Sequence, residues 1–312
     1  MNVNVPSTRV NIVSFSSVLR VRPLLPSELS SGDTEVLSTS PSTSSCILAA
    51  SQAVTGTQVD DLATIFYYDA VLPPETPQSA VYAAVGPSMV TASLSSSPQN
   101  AVLFSFGVSN SGKSHTLLGS QTEEGVVGEE AGVLPRIIQG FFTGNNGTAA
   151  AASTAASEDE PASTTTTSSS SPTSPIPTVA TSLSISMLEI YNEQVIDMLA
   201  PPSRLGAKTR APLKIHQNGP SFEIPALTTH PANDLNAALT LLNTGRTNTT
   251  TSTTSMNASS SRGHTVVKIT PLMDDGFGST IEGGSVMIVD MAGLERTKKS
   301  AVAGRGMRES AR

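Results

Sequence analysis

Gly107-Val108-Ser109-Asn110-Ser111-Gly112-Lys113-Ser114 fits the pattern G-x-x-x-x-G-K-S/T over its whole length. The glycines let the backbone turn tightly, so that successive N–H groups face the oxygens of a phosphate chain. Lys113 is placed to reach the β- and γ-phosphates of a nucleotide, and the hydroxyl of Ser114 is a ligand for Mg²⁺. The stretch therefore predicts a phosphate loop that leads into the N-terminus of a helix.

The sequence on both sides of this loop supports the same prediction. Residues 101–106 form a continuous apolar run, which is typical of a strand buried on both faces. Strands and helices alternating around a strand–loop–helix unit indicate an α/β protein, with a central, mostly parallel or mixed sheet flanked by helices. Further strands are predicted at 18–22, 64–71, 183–190, 265–270 and 286–289, and helices at 79–94, 191–199 and 232–242.

The composition limits the class of protein. Of the 312 residues 38% are hydrophobic and only 14% are charged, and long Ser/Thr stretches dilute both figures. The one cysteine, Cys46, excludes an intramolecular disulfide and offers no metal-ligand cluster. No apolar run approaches the roughly 20 residues that span a bilayer, and residues 1–9 lack the apolar core of a secretory signal. We therefore expect a soluble, intracellular protein without a membrane span.

Two segments are predicted to lie outside the folded core. Residues 1–17 are expected to be a flexible N-terminus. Between about 144 and 178 the composition changes to Ser, Thr, Ala and Pro, with an acidic cluster at 158–160, and such a sequence has too little apolar surface to fold. Because strand-like sequence resumes at residue 183, we interpret this segment as a disordered insertion within one domain that spans residues 18–312.

The net charge of −7 is not evenly distributed, because the C-terminal stretch of the sequence is basic. Residues 296–312 contain six basic side chains and one acid, Glu309. Such a stretch is typical either of a contact with an anionic partner or of a solvated tail. Charge alone favours the tail.

Two downstream motifs would complete a nucleotide site. Asp290-Met291-Ala292-Gly293-Leu294-Glu295 follows a predicted buried strand, where an aspartate that orders the water around Mg²⁺ is expected. The polar loop from Asn257 to His264 gathers several hydroxyls and Arg262. Alone, the first motif also fits a simple turn and the second a linker. Their order after a phosphate loop favours the functional interpretation.

Together these motifs resemble a kinesin motor domain. Kinesins have a phosphate loop that ends in G-K-T-H-T, and this chain has Gly112-Lys113-Ser114-His115-Thr116 in its place. Their switch I motif N-x-x-S-S-R-S-H is matched at 257–264, and their switch II motif D-L-A-G-S-E at 290–295. The motif R-x-R-P at 20–23, G-V-L-P-R at 132–136 and L-E-I-Y-N-E at 188–193 extend the resemblance from about 18 to 312. Within the family, the mitotic kinesin-like branch is the most similar.

The resemblance implies a role for each matched residue. Ser114 and Ser261 would ligate Mg²⁺, and Asp290 would bind it through water. Ser260 would place the attacking water, Gly293 would report the γ-phosphate, and Arg262 and Glu295 would form the salt bridge that closes the site. Arg20 and Pro23 would pack around adenine, and His115 would act by position rather than by proton transfer. The expected nucleotide-binding residues are Arg20, Pro23, Gly107, Val108, Ser109, Asn110, Ser111, Gly112, Lys113, Ser114, His115, Asn257 and Ser261.

The same resemblance implies a microtubule-dependent ATPase that uses ATP and Mg²⁺. Its expected location is the cytoplasm, on the microtubule cytoskeleton and the mitotic spindle, and no nucleic-acid partner is predicted. The basic stretch 296–312 would then correspond to a loop that faces acidic tubulin. The alternatives are a non-motile nucleotide- or microtubule-binding protein that lacks the mechanical half, and an unrelated P-loop NTPase.

Four residues of the switch regions depart from the kinesin pattern. Gly263 and Leu294 replace serines of the switch motifs, Met291 replaces the leucine of switch II, and Thr249 stands where many kinesins have an arginine. The sequence ends at Arg312, soon after switch II, and contains no heptad repeat for a dimerising stalk. We therefore expect a motor domain that is incomplete at its C-terminus, without the relay helix and the last strand.

Overall fold

A computed structural model describes residues 15–35, 37–48, 64–120, 126–144, 179–201, 210–249 and 263–294. The chain forms two compact units, Met1–Thr76 and Pro77–Arg312. No helix within the described ranges is long and apolar enough to cross a membrane. The expected flexible N-terminus and the insertion at 144–178 fall almost entirely outside these ranges. Both stay predictions, as does the single domain over 18–312.

The described part of the first unit contains two small sheets. Its elements are β1 (Val18–Arg20), α1 (Pro26–Ser30), β2 (Leu37–Ser40), β3 (Ser45–Leu48), β4 (Thr64–Tyr67) and β5 (Ala70–Leu72). β1 pairs with β5 in parallel, and β2, β3 and β4 form an antiparallel sheet. One strand was expected over 64–71, but two are found, because the chain turns at Asp69. Its carboxylate accepts a hydrogen bond from the backbone N–H of Ser17 at 2.6 Å.

The described part of the second unit is built on an eight-stranded mixed sheet. Its strands are β6 (Ala101–Ser105), β7 (Ser182–Tyr191), β8 (Gln194–Asp197), β9 (Pro212–Leu213), β12 (His230–Ala232), β13 (His264–Asp274), β14 (Thr280–Glu282) and β15 (Val286–Asp290); a separate hairpin comprises β10 (His216–Asn218) and β11 (Ser221–Glu223). The strand order is β6-β15-β13-β7-β8-β9, and β12 pairs with β7 and β14 with β13. Of these pairs, β6 and β15 run parallel and the others are antiparallel. The predicted mixed sheet is thus confirmed.

Four helices lie in the described part of this unit: α2 (Gln78–Leu94), α3 (Lys113–Leu117), α4 (Val133–Thr143) and α5 (Leu235–Thr247). α4 packs against α2 and α5, and Ile137 and Phe141 are completely buried. The approach to α2 is close, because a Cβ added at Gly140 would lie 2.8 Å from Oη of Tyr82. We did not predict α4, although apolar residues at 133, 134, 137, 138 and 141 have helical spacing.

The helix expected at 191–199 is wrong. β7 continues to Tyr191, the chain reverses at Asn192 and Glu193, and β8 returns beside β7. Both turn residues have left-handed backbone conformations, with φ of 48° and 63°. This two-residue turn fits the twist of the flanking strands. Short apolar segments do not by themselves distinguish such a hairpin from a helix.

β6 differs from the expected strand buried on both faces. Val102, Phe104 and Phe106 expose 50%, 60% and 77% of their surfaces. Within the described residues β6 bonds to β15 on one side and forms the edge of the sheet. The apolar run predicts the strand, but the position of a strand within its sheet depends on pairing partners far away in sequence.

Candidate functional site

The phosphate loop connects the end of β6 to the start of α3. Gly112 is the N-cap of α3 and has a left-handed φ of 90°. Gly107 has a φ of 155°, and a Cβ there would lie 2.6 Å from Oγ of Ser111. Both positions therefore favour glycine. The structure confirms the predicted strand–loop–helix arrangement.

The polar groups of this loop fit a bound phosphate chain. Nζ of Lys113 donates to the carbonyl oxygens of Gly107 and Val108 at 3.0 and 2.8 Å. The hydroxyl of Ser111 is buried and has no hydrogen-bond partner among the described residues. A buried hydroxyl without a partner is costly, so a polar ligand at this loop would satisfy it. The loop thus has both a cation and an unsatisfied polar group for a phosphate.

Asp290, at the end of β15, joins the phosphate loop through two hydroxyls. Oγ of Ser114 donates to Oδ2 at 2.5 Å, and Oγ of Ser105 donates to Oδ1 at 3.0 Å. A carboxylate and a hydroxyl are hard oxygen ligands, the kind that Mg²⁺ prefers. The arrangement thus fits Mg²⁺ held by Ser114, with Asp290 acting through water. Ser105 was not predicted, since only the register of β6 against β15 places it opposite Asp290.

Backbone contacts bring the second switch motif to the loop. The N–H of Leu294 donates to the carbonyl of Gly107 at 3.3 Å. Gly293, expected to report the γ-phosphate, is buried beside this contact. Leu294 itself is exposed, so the apolar side chain in place of the usual serine does not enter the core.

The first switch motif is described only at its end. Nδ1 of His264 accepts a hydrogen bond from the N–H of Ala292 at 3.1 Å, which links the two motifs. At Gly263 a Cβ would lie 2.9 Å from Oε1 of the buried Glu189. The expected roles of Asn257, Ser260, Ser261, Arg262 and Glu295 stay predictions, since these five residues lie outside the described residues.

His115 contacts the start of α2. Gln78 donates through Nε2 to the carbonyl of His115 at 2.7 Å, and the same nitrogen lies 3.2 Å from Nδ1 of the ring. Oε2 of Glu130 lies 3.8 Å from Nε2 of the histidine. These contacts are compatible with the positional role expected for His115. Gln78 was not predicted, and no motif in the sequence marks it.

A cavity of about 410 Å³ lies beside these residues, between the start of α2 and the loop before α4. Arg136 of α4 lines it and donates to the carbonyls of Gly128, Glu129 and Ala131 at 2.9–3.1 Å. Burial lowers the pKa of its guanidinium below the usual value. The arginine thus fixes the loop backbone on one side of the cavity.

Arg20 and Pro23 lie in the first unit, at the end of β1 and after it. Nη2 of Arg20 donates to the carbonyl of Thr76 at 3.4 Å. The neighbouring Arg22 forms two hydrogen bonds to Glu28, at 2.7 and 2.5 Å. The contact of Arg20 and Pro23 with adenine stays a prediction.

A glycine-rich loop between a parallel strand and a helix, with an aspartate from the neighbouring strand at its serine, defines a P-loop protein. Residues 20–312 match the family model of the kinesin motor domain. The chain therefore belongs to the kinesin motor domain family.

Individual kinesins show the extent of the similarity. The chain is 29% identical over 249 residues to Kinesin-like protein KIN-14D of Oryza sativa subsp. japonica, covering 78% of this chain and 21% of that protein. It is 28% identical over 292 residues to Kinesin-like protein KIN-14G of Arabidopsis thaliana, covering 93% and 25%. To Chromosome-associated kinesin KIF4A of Homo sapiens it is 27% identical over 298 residues, covering 93% and 20%.

A solved fast kinesin shares the fold, with a TM-score of 0.69 and 22% identity over 95% of this chain and 70% of that chain. This chain spans only about a fifth to a quarter of the length of the three curated relatives. Their names come from different kinesin groups, so the mitotic kinesin-like branch stays a prediction.

Proposed function

We propose that this chain is an ATP-binding and ATP-hydrolysing motor domain that acts on microtubules with Mg²⁺ as its cofactor. Membership of the kinesin family supports the general activity. The observation that carries the site is the 2.5 Å hydrogen bond from Oγ of Ser114 to Oδ2 of Asp290. It joins the hydroxyl that ligates Mg²⁺ and the aspartate on the metal side in P-loop nucleotide-hydrolysing proteins.

Nucleotide binding is assigned to the loop and its flanking residues. The N–H groups at the start of α3 bind the phosphate oxygens, because the first N–H groups of a helix have no partner within the helix. Lys113 exchanges the carbonyls of Gly107 and Val108 for the β- and γ-phosphates. Ser114 and Ser261 ligate the metal, and Asp290 holds its water. Bound Mg²⁺ neutralises part of the phosphate charge.

Hydrolysis is assigned to the two switch motifs. Ser260 places the attacking water, and Arg262 and Glu295 close the site when the γ-phosphate is present. Gly293 reports the loss of that phosphate, so the switch segments occupy two states that the nucleotide biases. The contact between Leu294 and Gly107 supports this assignment, because it brings switch II to the loop that holds the phosphates.

The partner in this proposal is the microtubule, in the cytoplasm and at the spindle. The basic stretch 296–312 supplies charge that complements the acidic surface of tubulin. Glu295 precedes this stretch directly, so a change in switch II would reach the microtubule contact. The alternative is a non-motile kinesin-like protein that binds nucleotide or microtubules, and the substitutions at Gly263 and Thr249 are the observations that favour this alternative.

The test is the ATPase rate of the purified chain with and without microtubules, alongside its affinity for ATP. We expect microtubules to raise the rate. The Glu295→Ala variant should lose turnover and keep nucleotide binding, whereas Glu282→Ala, on the exposed strand β14, should match the unmodified chain. Nucleotide binding without stimulation would support the alternative, and absence of nucleotide binding would refute the proposal.

A further inference from the structure

Ser105 is the last residue of β6 and stands opposite Asp290 of β15 in the parallel ladder. Side chains of paired residues leave the sheet on the same face. The hydroxyl of Ser105 lies 3.0 Å from Oδ1 of Asp290 and 3.4 Å from the carbonyl of Val289. Hydrogen bonds to a charged acceptor are shorter and stronger than bonds to a neutral one. The hydroxyl of Ser105 therefore donates mainly to Oδ1 of Asp290 rather than to the carbonyl of Val289.

The two oxygens of Asp290 consequently have different partners. Oδ1 accepts from Ser105, which precedes the phosphate loop, and Oδ2 accepts from Ser114, which follows it. One bond would leave the carboxylate free to rotate about its Cβ–Cγ bond, whereas two bonds fix its plane. Ser105 thus holds the orientation in which Oδ2 faces the Ser114 hydroxyl.

We propose that Ser105 is a positioning residue for the metal: it orients Asp290 toward the Mg²⁺ of the bound nucleotide. This inference rests on the proposed function. Ser105 does not touch the nucleotide; it acts through the aspartate. A positioned carboxylate loses less conformational entropy when the metal and its water arrive than a rotating one does. The contribution of Ser105 is therefore present only when Mg²⁺ is present.

This dependence on the metal separates positioning from a structural role. The affinity for a fluorescent ADP derivative is to be measured by titration in excess Mg²⁺ and in EDTA, which requires no catalysis. In Ser105→Ala we expect affinity in Mg²⁺ to fall about five- to tenfold, which is less than the full effect of a hydrogen bond to a charged group, because Ser105 acts only through the aspartate. Affinity in EDTA should be unchanged. Ser105→Thr keeps the hydroxyl and should restore most of the loss.

Ser285 provides a matched control at the other end of the same strand pair. Its half-buried hydroxyl donates to Oδ1 of Asn100 at 3.0 Å, the same distance as between Ser105 and Asp290. Ser285→Ala should therefore leave both affinities unchanged. Thermal unfolding of the two alanine variants should agree within about 2 °C, as expected for half-buried hydroxyls.

Two results would overturn the inference. One is wild-type affinity for the Mg²⁺ complex in Ser105→Ala, and the other is an equal loss in Mg²⁺ and in EDTA, which would indicate a structural role. Failure of the proposed function gives a different result, because the unmodified chain would then bind the nucleotide no more tightly with Mg²⁺ than without it.

Discussion

The imidazole of His264 accepts a hydrogen bond through Nδ1 from the backbone N–H of Ala292, at 3.1 Å. His264 ends the switch I motif and opens β13, whereas Ala292 lies within the switch II motif after β15. Because Nδ1 accepts this hydrogen bond, the proton of the neutral imidazole lies on Nε2. Among the described residues, the side chain of His264 therefore joins the two motifs, in addition to the ladder between β13 and β15.

Removing the acceptor Nδ1 of His264 should uncouple the two switch motifs without abolishing nucleotide binding. His264→Phe keeps an aromatic ring of similar size, and we expect kcat for ATP hydrolysis to fall about fivefold, the effect of one neutral hydrogen bond. Nucleotide affinity should change less than about twofold, since the loop contacts are untouched. His264→Asn keeps an acceptor near the position of Nδ1 and should recover most of the rate. A wild-type kcat in His264→Phe would contradict this coupling.

Asp197, at the end of β8, should be a large contributor to stability. Its buried carboxylate accepts hydrogen bonds from the N–H groups of Leu199 and Ala200 and from the N–H and hydroxyl of Thr228, at 2.7–3.0 Å. Asp197→Ala leaves these donors without their acceptor and should lower the free energy of unfolding by about 3 kcal/mol. Urea denaturation measures this loss.

Two comparisons test the cause of that loss. Asp197→Asn keeps one acceptor oxygen and should cost less than Asp197→Ala. Glu282→Ala removes an exposed acid from β14 and should change stability by less than about 0.5 kcal/mol. Equal stability of Asp197→Ala and Glu282→Ala would show that the hydrogen bonds to Asp197 contribute little.

The phosphate loop could be predicted from the sequence because its chemistry depends on consecutive residues. Gly107, Gly112, Lys113 and Ser114 need only their own spacing to form the cradle. The contact between Ser105 and Asp290 could not be predicted, since it depends on the register of two strands 185 positions apart. One residue of slip would turn one of the two side chains to the other face.

The helix predicted at 191–199 was wrong for a local reason. Val195, Ile196 and Met198 are buried, and this spacing fits a short strand or a helix equally well. The left-handed conformations of Asn192 and Glu193 decide in favour of the hairpin. Glu193 does not indicate a left-handed conformation in the sequence, because that conformation is enriched at glycine and asparagine rather than at glutamate.

Arg246 should stabilise the loop that follows α3. Its guanidinium donates to the carbonyls of Gly119 and Ser120, at 3.0 and 3.4 Å, from the last turn of α5. Burial lowers the pKa of this arginine, and the carbonyls compensate in part for the lost water. In Arg246→Met we expect the amide hydrogen of Ser120, bonded to the carbonyl of Glu130, to exchange about tenfold faster.

Hydrogen exchange followed by mass spectrometry or NMR measures this effect. Lys268→Met is the control, because it removes an exposed cation from the middle of β13. Its exchange rates at Ser120 should equal those of the unmodified chain. Equal rates in Arg246→Met as well would show that α5 does not stabilise the loop.

The pair Arg22 and Glu28 makes a pH-dependent contribution to the first unit. Hydrogen bonds from Arg22, and a further one from the N–H of Leu25, lower the pKa of Glu28 from its ordinary value of 4.5 to about 2. A carboxyl whose pKa is lowered by folding stabilises the folded state above its ordinary pKa. We therefore expect this contribution to be complete above about pH 5 and to disappear as the pH falls toward 2.

An NMR titration of the Glu28 side-chain carboxyl carbon tests the pair directly. The midpoint in the unmodified chain should lie near pH 2. Arg22→Gln should move it toward 4.5, because this variant removes the hydrogen bonds from Arg22, which are the largest cause of the lowered pKa. The bond from Leu25 remains in that variant, so the return should be incomplete. Arg210→Gln, which changes an arginine of the second unit bonded to the carbonyl of Ala200, should leave the midpoint unchanged. A midpoint near 4.5 in the unmodified chain would mean that the salt bridge after β1 does not persist in solution.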